Sequence, residues 1–141
     1  MHQNKRTWIY DIECFPNFLG FVFIDRVSDD KKEFIIHNEI NDLAKLITFI
    51  EEECSYLAGY NSSKYDNIII NFLVSNKGKL KYQSPSSITD TVYELSKAII
   101  GDDISVYFNP KTKPYIWSKL YKTVDLMSLM AFDKNRVSLK Q

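Results

Sequence analysis

The sequence predicts a mixed α/β fold: three antiparallel strands followed by parallel strands in one sheet, flanked by helices. Three observations lead there. Apolar runs of strand length open the chain, amphipathic stretches of helix length follow, and strand-like residues return near the end.

Each element has its own signal. Arg6 to Ile12 reads as the first strand, closing on the carboxylates Asp11 and Glu13. Phe18 to Ile24 is a second, continuously apolar strand, as expected where both faces are covered. The polar run Asp25 to Lys32 is a turn, and Glu33 to His37 returns as a third strand. Asn41 caps a helix reaching Cys54, with Leu43, Leu46, Ile47 and Ile50 on one face and Glu51, Glu52 and Glu53 toward water. Tyr56 to Tyr60 is a short fourth strand and Asn61 to Lys64 a turn. A helix then runs from Tyr65 or Asp66 to Asn76, stopped by Gly78.

Beyond Gly78 the signals thin. Ser84 to Ser87 reads as a loop into a helix from Ile88 to Ile100, with Ser87 and Asp90 as its capping pair and Gly101 as its stop. Ile104 to Phe108 and Tyr115 to Val124 carry strand-like residues around a turn at Asn109–Lys111. Asp125 to Met130 reads as a short helix after a strand.

Composition bounds the function without choosing it. A chain of 141 residues, 45% hydrophobic and 14% aromatic, makes one globular domain with a real core. Lys+Arg and Asp+Glu stand at 18 each, so net charge gives no push toward nucleic acid. Such a partner would be held by local patches or through metal. Cys14 and Cys54 lack metal-ligand spacing and read as buried thiols of a reducing compartment. No stretch is long or apolar enough to span a membrane, and the N-terminus carries no signal-peptide core. A cytoplasmic protein is expected, in a host cell's cytoplasm if it is viral.

The chemistry lies in the acids. Asp11 and Glu13, two apart on a strand, share a face, and like charges there call for a hard divalent cation. Asp66 sits where strand hands over to helix, facing the positive end of the helix dipole. If the first and fourth strands are neighbours, it falls near the other two.

Here the sequence resembles the DnaQ-like (DEDD, ribonuclease H-like) 3′–5′ exonucleases, and within them the proofreading domain of bacteriophage-type DNA polymerases. Tyr10-Asp11-Ile12-Glu13-Cys14-Phe15-Pro16-Asn17 looks like the family's first motif, Asp-x-Glu, with Cys14 where Thr is usual. Gly59-Tyr60-Asn61 to Tyr65-Asp66 looks like its second motif. Thr123-Val124-Asp125-Leu126 is similar to a strand-end segment seen further on, while Lys79 to Trp117 carries no family motif.

The resemblance implies a ribonuclease H-like fold and hydrolysis at the 3′ end of single-stranded DNA by two Mg²⁺ or Mn²⁺ ions about 3.5–4 Å apart. Asp11 would bridge both ions, Glu13 would hold the one carrying the attacking water, and Asp66 would support the other. Asn61 would orient the strand end. Phe15 and Tyr65 would pack on terminal nucleotides, with ordinary core packing as an equal reading of both.

The chain also departs from the pattern. The family takes a fourth acid from a third motif on a helix, an Asp preceded four residues earlier by Tyr or His. Asp133 has Leu129 at that place. Tyr121-x-x-x-Asp125 satisfies the spacing, but along a strand that offset separates side chains by about 13 Å. Asp125 is therefore only a weak candidate for the fourth acid. The chain reads as a single exonuclease-like domain over 1–141 whose last helices are missing, weakly active alone, with the remainder of a DNA polymerase as partner. One metal bound instead of two is an allowed outcome. The alternatives are a non-catalytic binding or inhibitor protein on the same scaffold, and an exoribonuclease using the same acids.

Overall fold

Strict alternation builds the first strand. In β1 (Arg6–Phe15), Trp8, Tyr10 and Ile12 are buried, whereas Ile9, Asp11, Glu13 and Phe15 are exposed. That is the period-two pattern of a sheet with one packed face. The structure, a computed structural model, describes residues 5–60, 62–101, 103–118 and 120–126.

β2 (Phe18–Asp25) pairs antiparallel with β1 from Trp8 opposite Asp25 to Phe15 opposite Phe18. β1 thus runs three residues past the expected end at Ile12, because the tight turn at Pro16–Asn17 keeps the hairpin paired to its tip. β3 (Lys31–His37) continues the antiparallel ladder, and β4 (Ile40–Asn41) adds a two-residue edge. β2 is covered on one face only: Phe21 and Phe23 are buried, but Ile24 is 38% exposed beside Ile9, also 38%.

The sheet changes sense on the far side of β1. β5 (Cys54–Gly59) lies parallel to β1, with Ile9 opposite Ala58. β6 (Lys122–Asp125) lies parallel to β5, with Gly59 opposite Asp125. The order is β4-β3-β2-β1-β5-β6, a six-stranded mixed sheet in an α/β fold.

α1 (Leu43–Glu53) provides the crossover that the parallel pair requires. It buries Leu43, Leu46, Ile47, Phe49 and Ile50, the face expected from their spacing. Asn41 Oδ1 accepts the Leu43 N–H at 3.1 Å, and Asp42 turns back to accept the Ile35 N–H at 2.9 Å. The helix hands directly to β5 at Cys54, two residues before the expected strand start.

α2 (Asp66–Ser75) is followed at once by α3 (Lys77–Leu80). Gly78 lies inside α3 and stops nothing; the break falls at Asn76, whose side-chain amide donates to the Phe72 carbonyl at 2.8 Å. α4 (Pro85–Gly101) begins three residues before Ile88. The Ser84 hydroxyl accepts the Ser87 N–H at 3.1 Å, and Pro85 takes the first helical position, where its missing donor is harmless. Ser87 donates instead to the Gln83 side chain, so the Ser87–Asp90 pair does not start this helix.

The expected strand over Ile104 to Phe108 is a set of turns. Thr112 Oγ1 donates to the Val106 carbonyl at 2.7 Å, and Asn109 Oδ1 accepts the Lys111 N–H at 3.0 Å. These local bonds outcompete a ladder. A 3₁₀ turn occupies Lys113–Tyr115, and only Lys122–Asp125 of the later run is strand. Asp125 closes β6; the rest of the expected helix, Met127 to Met130, lies outside the described residues, as does Asp133.

Trp8, Tyr10, Phe23 and Phe34 join the helices in one core. The Phe49 ring meets Phe23 at 4.8 Å, Trp8 at 4.9 Å and Phe34 at 5.3 Å. Cys54 is a buried free thiol, pushed up to about 12 mainly by burial, and Cys14 is a half-buried free thiol. No helix among the described residues is long and apolar enough to cross a membrane.

Candidate acidic site at the end of the parallel strands

Register decides which acids meet. The β1–β5 ladder runs as far as Ile9 opposite Ala58, so Asp11 projects beyond the parallel pair while still held by β2 opposite Val22. β6 ends with Asp125 opposite Gly59. A 3₁₀ turn over Ser62–Lys64 then leads into α2, whose first residue is Asp66. Three elements thus deliver three carboxylates to one end of the parallel strands.

Their proximity shows in the behaviour of Asp66. Its side chain is buried, at 6% exposure, and its carboxyl is pushed up to about 7 by that burial first, then by the charges of Asp11 and Asp125. A helix N-terminus favours the carboxylate, but here desolvation and like charge win.

The turn between β5 and α2 is fitted closely. Asp125 accepts the Ser63 N–H at 3.1 Å and the Ser63 hydroxyl at 2.7 Å. A side chain at Gly59 would place its Cβ 2.7 Å from Ser62 Cβ and 3.1 Å from the Tyr10 ring, so only glycine lets the turn approach the strand. The Ser62 hydroxyl is buried with no hydrogen-bond partner among the described residues.

Buried hydrogen bonds set α2 on the sheet. The Tyr10 hydroxyl donates to Asn67 Oδ1, and the Tyr121 hydroxyl donates to Asn71 Oδ1 at 2.6 Å. The Asn71 amide in turn donates to the Tyr115 carbonyl at 2.8 Å. Burial raises both tyrosines well above their ordinary values, which keeps both hydroxyls protonated. Nearby, the Tyr65 and Ser96 hydroxyls share a hydrogen bond of 2.7 Å that ties the start of α2 to α4.

The predicted residues therefore divide. Asp11 and Asp66 come together, and Asp125 joins them from a strand end. Glu13 lies two positions on along the same face of β1, exposed and opposite Gly20. Phe15 sits at the hairpin tip, 54% exposed, with its ring 6.3 Å from Phe18. Tyr65 is half-buried with its hydroxyl engaged, leaving only its ring to a ligand. Asn61 lies outside the described residues. Tyr121 is buried, with its hydroxyl committed to Asn71.

Sequence reasoning passed over Asn67, Asn71 and Ser63. The first two had a legible signal: two amides four apart in a helix otherwise rich in Ile, Leu and Phe. Such groups are buried only when hydrogen-bonded.

Carboxylate oxygens are the donor type that hard divalent cations take. The set is all carboxylate, and the negative charges of Asp11 and Asp125 bear on a buried acid. Among the described residues, no group of three or more His, Cys, Asp or Glu side chains is placed so that it could hold a metal ion. A cleft of about 530 Å³ adjoins the start of α2, lined by Lys64, Tyr65, Ile99, Asp103, Val106 and Tyr107. A groove of about 350 Å³ between α1 and α3, lined by Leu43, Ile47 and Lys77, includes none of the site acids.

Compared with protein-family models, curated proteins and solved structures, the chain matches none. Any functional reading therefore rests on the residues themselves.

Proposed function

We propose that this chain is a ribonuclease H-like, metal-dependent 3′–5′ exonuclease domain of the kind that proofreads for viral DNA polymerases, acting on the 3′ end of single-stranded DNA. The observation that carries it is the buried Asp66 carboxyl, raised to about 7 beside Asp11 and Asp125 at the end of parallel strands. The antiparallel half of the sheet followed by parallel β5 and β6 supports the scaffold.

Asp11, Asp66 and Asp125 would hold the ions, with Glu13 reaching in from β1. Bound Mg²⁺ or Mn²⁺ supplies the charge that lowers the pKa of an attacking water and offsets charge on the phosphate. Asp66, held partly protonated near neutrality by burial and by its acidic neighbours, would have to lose that proton to hold a cation. Phe15 offers an exposed ring for a terminal base, and Lys64 at the neighbouring cleft offers charge to the phosphate backbone. The Tyr65 ring forms part of that cleft wall.

The test is incubation of the chain with single-stranded DNA labelled at its 5′ end and Mn²⁺. Stepwise shortening from the 3′ end, abolished by Asp11→Ala and by Asp66→Asn, is the expected result. A folded chain that leaves the DNA intact, even with the remainder of a polymerase added, overturns the reading and favours a non-catalytic binding scaffold. Preference for labelled RNA over DNA would reassign the substrate.

A further inference from the structure

Three segments bring the acids, and two buried hydrogen bonds join those same segments. Tyr10 precedes Asp11 on β1 and donates to Asn67, the neighbour of Asp66. Tyr121 enters β6, which ends at Asp125, and donates to Asn71 one helical turn along α2. All four side chains are buried: Tyr10 and Tyr121 at 4% and 6% exposure, Asn67 and Asn71 at 1% and 5%.

We propose that Asn67 and Asn71 are positioning residues that fix the rotation and slide of α2 on the sheet, and so set Asp66 against Asp11 and Asp125. The proposal rests on the reading of these acids as a metal site.

The physical case is one of direction. α2 is apolar around most of its circumference, with Ile68, Ile69, Ile70 and Leu73 all fully buried. Dispersion and hydrophobic contacts of such a helix are nearly indifferent to small rotations, because one Ile replaces another. Hydrogen bonds are not: they lapse within a fraction of an ångström or some tens of degrees. A leucine at 67 or 71 would bury more easily than an amide. The amides are therefore informative, since Asn67 accepts from Tyr10 and Asn71 is committed through both ends, to Tyr121 and Tyr115.

The decisive comparison is between crystal structures of the wild-type chain and of Tyr10→Phe/Tyr121→Phe, which keeps both rings and removes both donors. Displacement of the Asp66 carboxylate relative to Asp11 by about 1 Å or more is expected, enough to matter for a catalytic array. An Asp66 that stays in place overturns the proposal. Should the double variant fail to fold, each single substitution carries the same comparison. Mn²⁺ binding by calorimetry is the parallel readout, with affinity expected to fall about 10- to 100-fold, as for outer-shell partners elsewhere. A wild-type chain that takes up no Mn²⁺ overturns the metal reading alone, and the position of Asp66 still decides the role of the asparagines.

Discussion

Asp125 and Ser63, 62 positions apart in sequence, meet through two hydrogen bonds, one from the Ser63 amide and one from its hydroxyl. The end of β6 is thereby fastened to the turn that launches α2. Ser63→Ala removes the 2.7 Å hydroxyl bond and leaves the amide bond, and is expected to lower stability by about 1–2 kcal/mol, measured by urea unfolding. If Asp125 is also a metal ligand, Mn²⁺ affinity should fall in the same variant, because the carboxylate loses the restraint of the Ser63 hydroxyl.

The raised Asp66 carboxyl makes stability depend on pH in a definite direction. The unfolded group titrates near 3.8 and the folded one near 7. The native state therefore holds a proton that the unfolded state has released. The favourable contribution of this group is complete below the unfolded value and is lost as pH rises through about 7. Asp66→Asn, which cannot ionise, should be more stable than wild type by about 4 kcal/mol at pH 8 and nearly equal to it at pH 4. Thermal melts across that range measure it. Added Mn²⁺ should restore wild-type stability at pH 8 and do little for the variant.

Gly59 has no room for a side chain. Gly59→Ala brings a methyl to 2.7 Å from Ser62 Cβ, a distance that forces the turn or the strand to move, for about 1–3 kcal/mol of stability. Pairing it with Ser62→Gly removes the Ser62 atoms it meets and should recover most of the loss. Additive losses in denaturant unfolding would show instead that the Tyr10 ring sets the clash.

The core hinges on one ring. Phe49 contacts Trp8, Phe23 and Phe34, which lie on three successive strands, β1, β2 and β3. Phe49→Ala leaves a cavity between α1 and the antiparallel half of the sheet, and is expected to cost about 3–5 kcal/mol. Denaturant unfolding checks the size of the loss, and access of quencher to the fully buried Trp8 indole checks its location.

Much of this molecule is local information. Alternation along residues 8–13, the i, i+3, i+4 spacing of Leu43, Leu46, Ile47 and Ile50, and the turn residues at Ser28–Asp30 are each sufficient to name an element, because backbone geometry fixes side-chain direction. A mixed sheet flanked by helices followed from them. So did the placing of Asp11 and Glu13 on one face. Element ends were less legible. Gly78 and Ser87 had the right residue type to stop and start helices, but Asn76 and Ser84 do so, because side-chain hydrogen bonds rather than propensity settle a helix end.

The tertiary structure alone decided which acids share a neighbourhood. Asp125, weakly favoured from spacing, joins Asp66 because β6 lies beside β5 in parallel register. Nor could spacing reveal that Tyr10 and Tyr121 reach asparagines on one helix. Contacts between residues 50 or more positions apart depend on how sheet and helix pack, and no local pattern along a strand encodes that distance.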